Sequence, residues 1–497
     1  MSGDYSRKRF NPEKHYQGVL RQQGRVDLDA DWNEYVDLQD RRWRAETIDV
    51  VGRSGVPDET PDGFKIAVSG GELTVGQGRM YVDGYVAENH GTAPAFEPTL
   101  EEGYGTAALP VKNQPYGGPV TVPAQVRSLV YLDVWRREVT HLQAPDLIEP
   151  AVNVDSTTRH QTAWQVRVLA NIPPDITCDT PLSDIPGWPT GNRSSSARLT
   201  TTTVAVTTEP DPCLVPPTGG YRGLENHLYR VEVHSATTTT AKVKWSRENA
   251  HVATSLLEIL AGRTTVRVES LGRDDVLRIK TGDWVELTSD QREFAGLPGE
   301  MRKVTVDDAN QTLTFSPALP AADFPQGVVD AAKHVRVIRW DQSGIVRKPD
   351  GSQLINLDLT SDGLIELSAA NPSFVLELGV QATLTVLAGG TAHSGDYWCF
   401  AARTADADIE RLNQAPPLGI HHHHAHLAII EPNGEIHDCR TVFPPLTELT
   451  PGCCTVVVRP GEDIQAAIDS LPDEGGCVCL KVGDHEIQAA IDEQVLA

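Results

Sequence analysis

The chain has 497 residues, with 43 lysines and arginines against 68 aspartates and glutamates, and a formal net charge of −25. This charge repels nucleic acids and anionic membranes, and it argues against a nucleic-acid-binding protein. Eight cysteines are too few for a disulfide-rich scaffold, and no apolar run is long enough to predict a membrane-spanning segment.

The N-terminal region, residues 1–95, predicts one long helix followed by a β-hairpin. Asp29 and Asp31 favour a helix start, and Gly52 is a plausible end. The segment GRMYVDGYVAE then has a turn at Asp83-Gly84. Aromatic residues at roughly helical spacing mark the helix: Trp32, Tyr35 and Trp43. These residues either pack on the chain's own β domain or form an assembly interface with other chains.

Short alternating segments through the rest of the chain predict a mainly β, multidomain protein. We expect a β domain at 96–250, with a long connection rich in Pro, Ser and Thr at 170–222. A small barrel-like module is expected at 251–342, and a further β domain with a histidine-rich strand at 343–446. The last segment, 447–497, reads as a strand, a short helix and a second strand.

The motif GIHHHHAHLAII at 419–430 is a candidate metal site. Alternate side chains of a strand share a face, so His422, His424 and His426 should lie together. Imidazoles suit a transition metal such as iron, nickel or zinc. Three of them on one flat strand cannot all reach one ion, so a second strand or neighbouring chains would have to complete the site. The alternative is a polar strand without metal, and no other cofactor is expected.

Two cysteines flank the irregular connection. Cys178 and Cys213 could form a disulfide that closes this loop if the protein meets an oxidant. No GxSxG, HExxH or P-loop motif is present, so the sequence offers no catalytic residues.

Several segments together resemble an uncharacterised family of phage-tail-like proteins associated with contractile injection systems. They include HYQGVLRQQGRVDLDADWNE, GRMYVDGYVAE, LVYLDVWRREVTHLQAP, GGYRGLENHLYRVEVH, GDYWCFAAR and HHHHAHLAII, and they spread over most of residues 9–446. The N-terminal part resembles tail-fibre and baseplate proteins, which are commonly trimers. PGEDIQAAIDSLPDEGG resembles the capping helix of a pectate-lyase-like right-handed β-helix, of which 447–497 would hold only the start.

The resemblance implies a structural component of a contractile injection particle, at the baseplate, fibre or spike, rather than an enzyme. Its partners would be other tail or baseplate proteins and copies of itself in a trimer, with no membrane insertion. In such a trimer His422, His424 and His426 would meet at the axis. The N-terminus lacks the apolar core of a secretory signal, so we expect cytoplasmic synthesis, assembly into a particle and extracellular location only after release. The alternatives are a carbohydrate-binding tailspike-like module and a polysaccharide lyase or hydrolase.

Overall fold

The structure of the chain is a computed structural model that describes residues 3–69, 72–92, 107–115, 120, 123, 125–203, 220–445, 455–471 and 476–480. Its α-helices in these ranges are α1 (Asp29–Val51), α2 (Asp290–Phe294) and α3 (Ile464–Asp469). Short 3-10 helices occupy Pro12–Lys14, Val111–Asn113, Pro145–Leu147, Leu182–Asp184, Thr190–Asn192, Ala261–Arg263, Ala331–Lys333 and Leu357–Leu359. No helix among the described residues is both long enough and apolar enough to cross a membrane.

Strands dominate the described chain. Those before the central module are β1 (Ser54–Pro57), β2 (Ile66–Ser69), β3 (Glu72–Val75), β4 (Gly78–Val82), β5 (Tyr85–Asn89), β6 (Leu109–Pro110), β7 (Ser128–Val139), β8 (Ile148–Glu149), β9 (Val154–Asp155), β10 (Arg159–Ala170), β11 (Ala197–Thr203), β12 (His227–Ala236) and β13 (Thr240–Ser246). The module holds β14 (Ala253–Ile259), β15 (Thr265–Val268), β16 (Trp284–Thr288), β17 (Glu300–Lys303), β18 (Thr305–Asp307), β19 (Thr312–Thr314), β20 (Gly327–Val328) and β21 (Arg336–Trp340).

The remaining strands are β22 (Ile345–Arg347), β23 (Gln353–Asn356), β24 (Ile365–Ser368), β25 (Ser373–Val375), β26 (Val380–Val386), β27 (Tyr397–Arg403), β28 (Asp408–Ile409), β29 (His422–Ile430), β30 (Ile436–Asp438), β31 (Val442–Phe443), β32 (Val456–Val458) and β33 (Val478–Leu480). The predicted fold class, mainly β and multidomain with an N-terminal helix, is confirmed.

Two β-sandwich-like bodies form the core of the molecule. In the first, the sheet β31-β1-β4-β5 packs on the sheet β10-β7-β29-β30, and their apolar faces share one core that includes Val82, Leu132 and Leu427. In the second, β11-β26-β25-β22-β23 packs on β24-β13-β12-β27-β28 around Val231, Phe374 and further buried residues. Each core is built from the inward-facing side chains of alternating strands.

The eight-stranded sheet of the central module encloses a third core. Its strands are ordered β17-β16-β21-β14-β15-β19-β18, with β20 paired to β14. Buried Val266, Leu287, Leu313 and Val337 fill the space between them. All of these strands lie inside 251–342, the range in which the sequence predicts a small barrel-like module.

The predicted domain boundaries elsewhere differ from the strand pairing. Strands of 1–95, 96–250 and 343–446 share the first sandwich, because the histidine strand β29 pairs with β7. Strands of 96–250 and 343–446 also share the second sandwich, where β12 pairs with β27. Strand pairing therefore crosses the predicted boundaries, because strand patterns in a sequence do not reveal which distant strand completes a sheet.

The disulfide involves a different partner from the one predicted. Cys178 is bonded to Cys439, 261 residues away, and Cys213 lies outside the described residues. The segment after β10 does not loop freely: Ile176, Ile185 and Trp188 pack with Ile429 on the outer face of the β7–β29 sheet. This packing places Cys178 next to Cys439, the residue that follows β30.

The C-terminal segment forms a parallel strand pair around α3. β32 pairs with β33 in parallel, and α3 lies between them in the chain. The Asp463 side chain caps α3 by accepting hydrogen bonds from the Gln465 and Ala466 backbone N–H groups. This is the predicted order of strand, helix and strand, and the likeness to a β-helix beyond it stays a prediction.

Candidate functional sites

The histidine run lies at the start of β29, at one end of the first sandwich. β29 runs antiparallel to β7, so that His422 is opposite Trp135 and His424 is opposite Asp133. Directly opposed residues of an antiparallel pair point to the same face. The predicted alternation therefore holds, and it places an acidic residue of β7 beside the even-numbered histidines.

Asp133, His422 and His424 form a compact cluster. The Nδ1 atom of His422 lies 2.7 Å from Asp133 Oδ1, and the Nε2 atom of His424 lies 3.4 Å from the same oxygen. The second carboxylate oxygen accepts a hydrogen bond of 2.8 Å from Arg167 Nε. Each of the three could offer one ligand atom to an ion, since these atoms lie within 4.8 Å of one another.

Burial sets the protonation of this cluster. Desolvation lowers the pKa of His424 to about 4, although the nearby Asp133 carboxylate opposes the shift. Burial alone would raise the pKa of Asp133, but the hydrogen bond from His422 and the positive charge of Arg167 hold it below its usual value. At neutral pH the site therefore contains an ionised carboxylate and a neutral His424 ring.

The other histidines of the run do not join the cluster. His426, predicted as a metal ligand with His422 and His424, lies outside the group of ligand atoms that those two histidines form with Asp133. His423 lies on the opposite face, with its Nδ1 atom 3.0 Å from Asp83 Oδ2. Two of the three predicted histidines, His422 and His424, therefore lie together with Asp133 of the neighbouring strand, and His426 is not part of this group.

The predicted aromatic residues of helix α1 lie on its surface. The exposed fractions are 60 % for Trp32, 38 % for Tyr35 and 65 % for Trp43. The rings of Trp32 and Tyr35 are in contact, with centroids 5.9 Å apart. These three residues, called the aromatic stripe below, do not belong to the core of the described chain.

Polar contacts hold α1 to the body. Arg136 of β7 forms an ion pair of 2.8 Å with Asp40. Near the helix end, the guanidinium group of Arg44 lies 4.1 Å from the centre of the Tyr85 ring. Of the 23 residues of the helix only Ala30 and Leu38 are buried, so this attachment buries little apolar surface.

An exposed arm precedes the helix. Residues 12–28, called the N-terminal arm below, are exposed throughout except Val19, with a turn at Gly24. The arm includes large apolar side chains, among which Leu20 is 90 % and Val26 is 84 % exposed. The segments on either side of the arm are held in place. Before the arm, Tyr5 donates a hydrogen bond to Glu138, and the Ser6 backbone N–H donates one to Asp29, the residue that follows the arm.

A cleft of about 2470 Å³ separates the N-terminal segment from the β bodies. Its walls carry charges of both signs, including Lys8, Arg136 and Glu232. Asp133 and His422 also line it. The histidine cluster therefore opens towards the cleft on the His422 side.

Sequence reasoning missed the acidic partner of the histidines. Asp133 and His422 are 289 residues apart, and no local spacing connects them. One signal was available: Asp133 interrupts the apolar run LVYLDVW and is 1 % exposed. A buried charge in an apolar strand needs a partner, and it can mark a functional site.

The comparisons with known proteins give one match. A family model described as "Family of unknown function (DUF6519)" matches residues 1–177 and 192–458. No curated protein and no solved structure matches the chain.

Proposed function

The chain belongs to the DUF6519 family of unknown function, and we propose that it is a structural component of a phage-tail-like contractile injection particle. In this proposal the two sandwiches and the module form a scaffold, and the N-terminal arm and helix α1 attach it to other chains. The observation that carries the proposal is the exposure of the aromatic stripe and of the arm.

Helix α1 has an apolar surface that the described chain leaves uncovered. Most helical stability in proteins comes from packing one apolar face, because helix formation by itself is marginal. The aromatic stripe supplies large rings that are typical of the centres of protein interfaces. A partner that covers Trp32 and Trp43 would supply the packing that the chain's own body does not provide.

The spacing of the uncovered residues favours copies of the same chain. Trp32, Tyr35, Trp43, Glu46 and Val50 are exposed, and together with the half-buried Gln39 they follow one another at intervals of three or four residues. This spacing places them along one side of a helix, as in helices that pack side by side around a common axis. We therefore propose a homotrimer in which three α1 helices pack through the stripe and each arm reaches a neighbouring chain.

The proposal of a phage-tail-like contractile injection particle rests on the sequence resemblance. It covers the arm, the start of α1 and strands of both sandwiches, so it extends over the regions that the proposal uses. The alternative of a carbohydrate-binding spike has less support, because the described part of 447–497 contains one parallel strand pair. Such a pair is shorter than the stacked coils that make a β-helix stable.

The test is incorporation into particles. Tail particles purified from cells that encode the chain should contain it at a fixed copy number that is a multiple of three. The double variant Trp32→Ala/Trp43→Ala should be absent from particles while its circular dichroism spectrum shows intact β structure, because neither ring contributes to a core.

A matched control separates this effect from the loss of any surface side chain. Leu359 is 83 % exposed and lies in the second sandwich region, far along the chain from the arm. Leu359→Ala should enter particles normally. Particles that lack the wild-type chain, or that keep the double variant at full occupancy, would contradict the proposal.

A further inference from the structure

The histidine cluster has the composition of a metal site contained within one chain. We infer that Asp133, His422 and His424 bind one divalent transition-metal ion per chain. The three residues come from the neighbouring strands β7 and β29, whose register sets His424 directly opposite Asp133. This site is independent of the proposed assembly function and uses none of its surface residues.

A buried nitrogen supports the assignment. Within the described residues His424 Nε2 is buried and has no hydrogen-bond partner, and its side chain is only 8 % exposed. Buried polar atoms without a partner are rare and require an explanation. The atom faces Asp133 Oδ1 at 3.4 Å, and an ion between them would satisfy both.

The distances fit a small ion. Ligand atoms bound at about 2.1 Å to a tetrahedral ion lie about 3.4 Å apart. The His424–Asp133 separation already has this value, whereas the His422 nitrogen is 2.7 Å from the carboxylate. Metal binding would replace the His422–Asp133 hydrogen bond by two bonds to the ion, with a small rotation of the more exposed His422 ring.

Surrounding side chains fix the ligands in place. Arg167 holds the second oxygen of Asp133, which leaves the first oxygen free to face the histidines. The Trp188 ring packs edge-on against His424 at 5.2 Å, and the Trp135 ring lies 4.9 Å from His422. Such outer contacts orient metal ligands and strengthen binding.

The donor set selects the class of metal. Two imidazoles and one carboxylate suit zinc, iron or cobalt, whereas calcium and magnesium require oxygen ligands. Three protein ligands leave at least one coordination position for water or another small ligand. That position is accessible, because Asp133 and His422 line the cleft.

The test is titration of the metal-free, full-length protein with Co²⁺ and Zn²⁺, followed by visible absorption and calorimetry. We expect one Co²⁺ per chain, a d–d spectrum of low coordination number and competition by Zn²⁺. Asp133→Asn and His424→Ala should each weaken binding by at least about 100-fold, because each removes a ligand. The matched control is His423→Ala, which removes a histidine of the same run from the opposite face and should bind as wild type.

Each other outcome overturns the inference. One ion per three chains would place the site on a symmetry axis, with ligands from several chains. Equal weakening in His423→Ala would show that the run acts as an unstructured histidine tag. Absence of stoichiometric Co²⁺ binding by the wild type would show that the cluster is a hydrogen-bonded pair with a buried histidine. If one ligand variant fails to fold, the other variant and the wild-type stoichiometry still decide between these outcomes.

Discussion

At the scale of single residues, burial determines which histidines can carry charge. His234 of β12 is 8 % exposed and faces Lys244, Glu286, Glu232 and Asp362. Desolvation, assisted by the positive charge of Lys244, lowers the pKa of His234 to about 4. Its Nδ1 atom is 3.7 Å from Glu286 Oε1, so the carboxylate only partly offsets these effects.

This shift predicts a loss of stability on acidification. The pKa of His234 is lower in the folded state than its ordinary value of about 6.5, so the unfolded state binds the proton first. Stability should therefore fall as the pH drops from about 6.5 to about 4, by up to about 3 kcal/mol. Glu232, whose folded pKa is about 2, should extend the loss below pH 4.5.

The substitution His234→Gln isolates this contribution, since glutamine is neutral at every pH tested. Urea unfolding at pH 7, 6, 5 and 4 should show that the variant loses about 3 kcal/mol less stability between pH 7 and pH 4 than the wild type does. Parallel curves for the two proteins would show that His234 is not the responsible group.

At the scale of elements, buried charges attach the module to the second sandwich. Lys244 of β13 forms ion pairs of 2.5 Å with Glu286 of β16 and of 3.1 Å with Glu232 of β12. The indole N–H of Trp340 in β21 donates to the same Glu286 carboxylate at 3.0 Å. A buried pair of this kind specifies position, because breaking it leaves a charge without a partner in a low-dielectric interior.

The disulfide has a comparable role in the first sandwich. It joins the segment after β10 to the residue after β30 and closes a loop of 261 residues. Cys178→Ser should lower the free energy of unfolding by about 2–4 kcal/mol, because the unfolded chain gains conformational freedom. Guanidinium unfolding with and without reductant measures this loss.

The exposed free Cys477 provides the matched control for this substitution. Cys477→Ser should unfold as wild type does and keep the wild-type sensitivity to reductant. A Cys178→Ser variant that remains as stable as the oxidised wild type would contradict the assigned pairing.

Local elements could be read from the sequence, but their partners could not. The bounds of α1 followed from Asp29 and Gly52, and the Asp83-Gly84 turn does connect β4 to β5. The alternation of the histidines followed from strand geometry. The pairing of β29 with β7 and the partner of Cys178 did not follow, because both depend on contacts more than 250 residues apart.

At the scale of the whole molecule, the module is inserted in the sequence of the second sandwich, and the second sandwich is inserted in the sequence of the first. The first sandwich takes strands from 54–170 and 422–443, the second from 197–246 and 345–409, and the module lies between β13 and β22. Each inner part is therefore inserted into the one before it. The N-terminal arm and α1 stand outside this arrangement with their apolar side chains exposed, and this is the feature from which assembly is proposed.

The molar mass of the purified full-length protein in solution tests the central claim most directly. Multi-angle light scattering should give the mass of three chains for the wild type and for Leu359→Ala. It should give the mass of one chain for Trp32→Ala/Trp43→Ala, because the aromatic stripe no longer packs. A wild-type protein with the mass of a single chain at micromolar concentration, or a double variant that remains a trimer, would contradict the account.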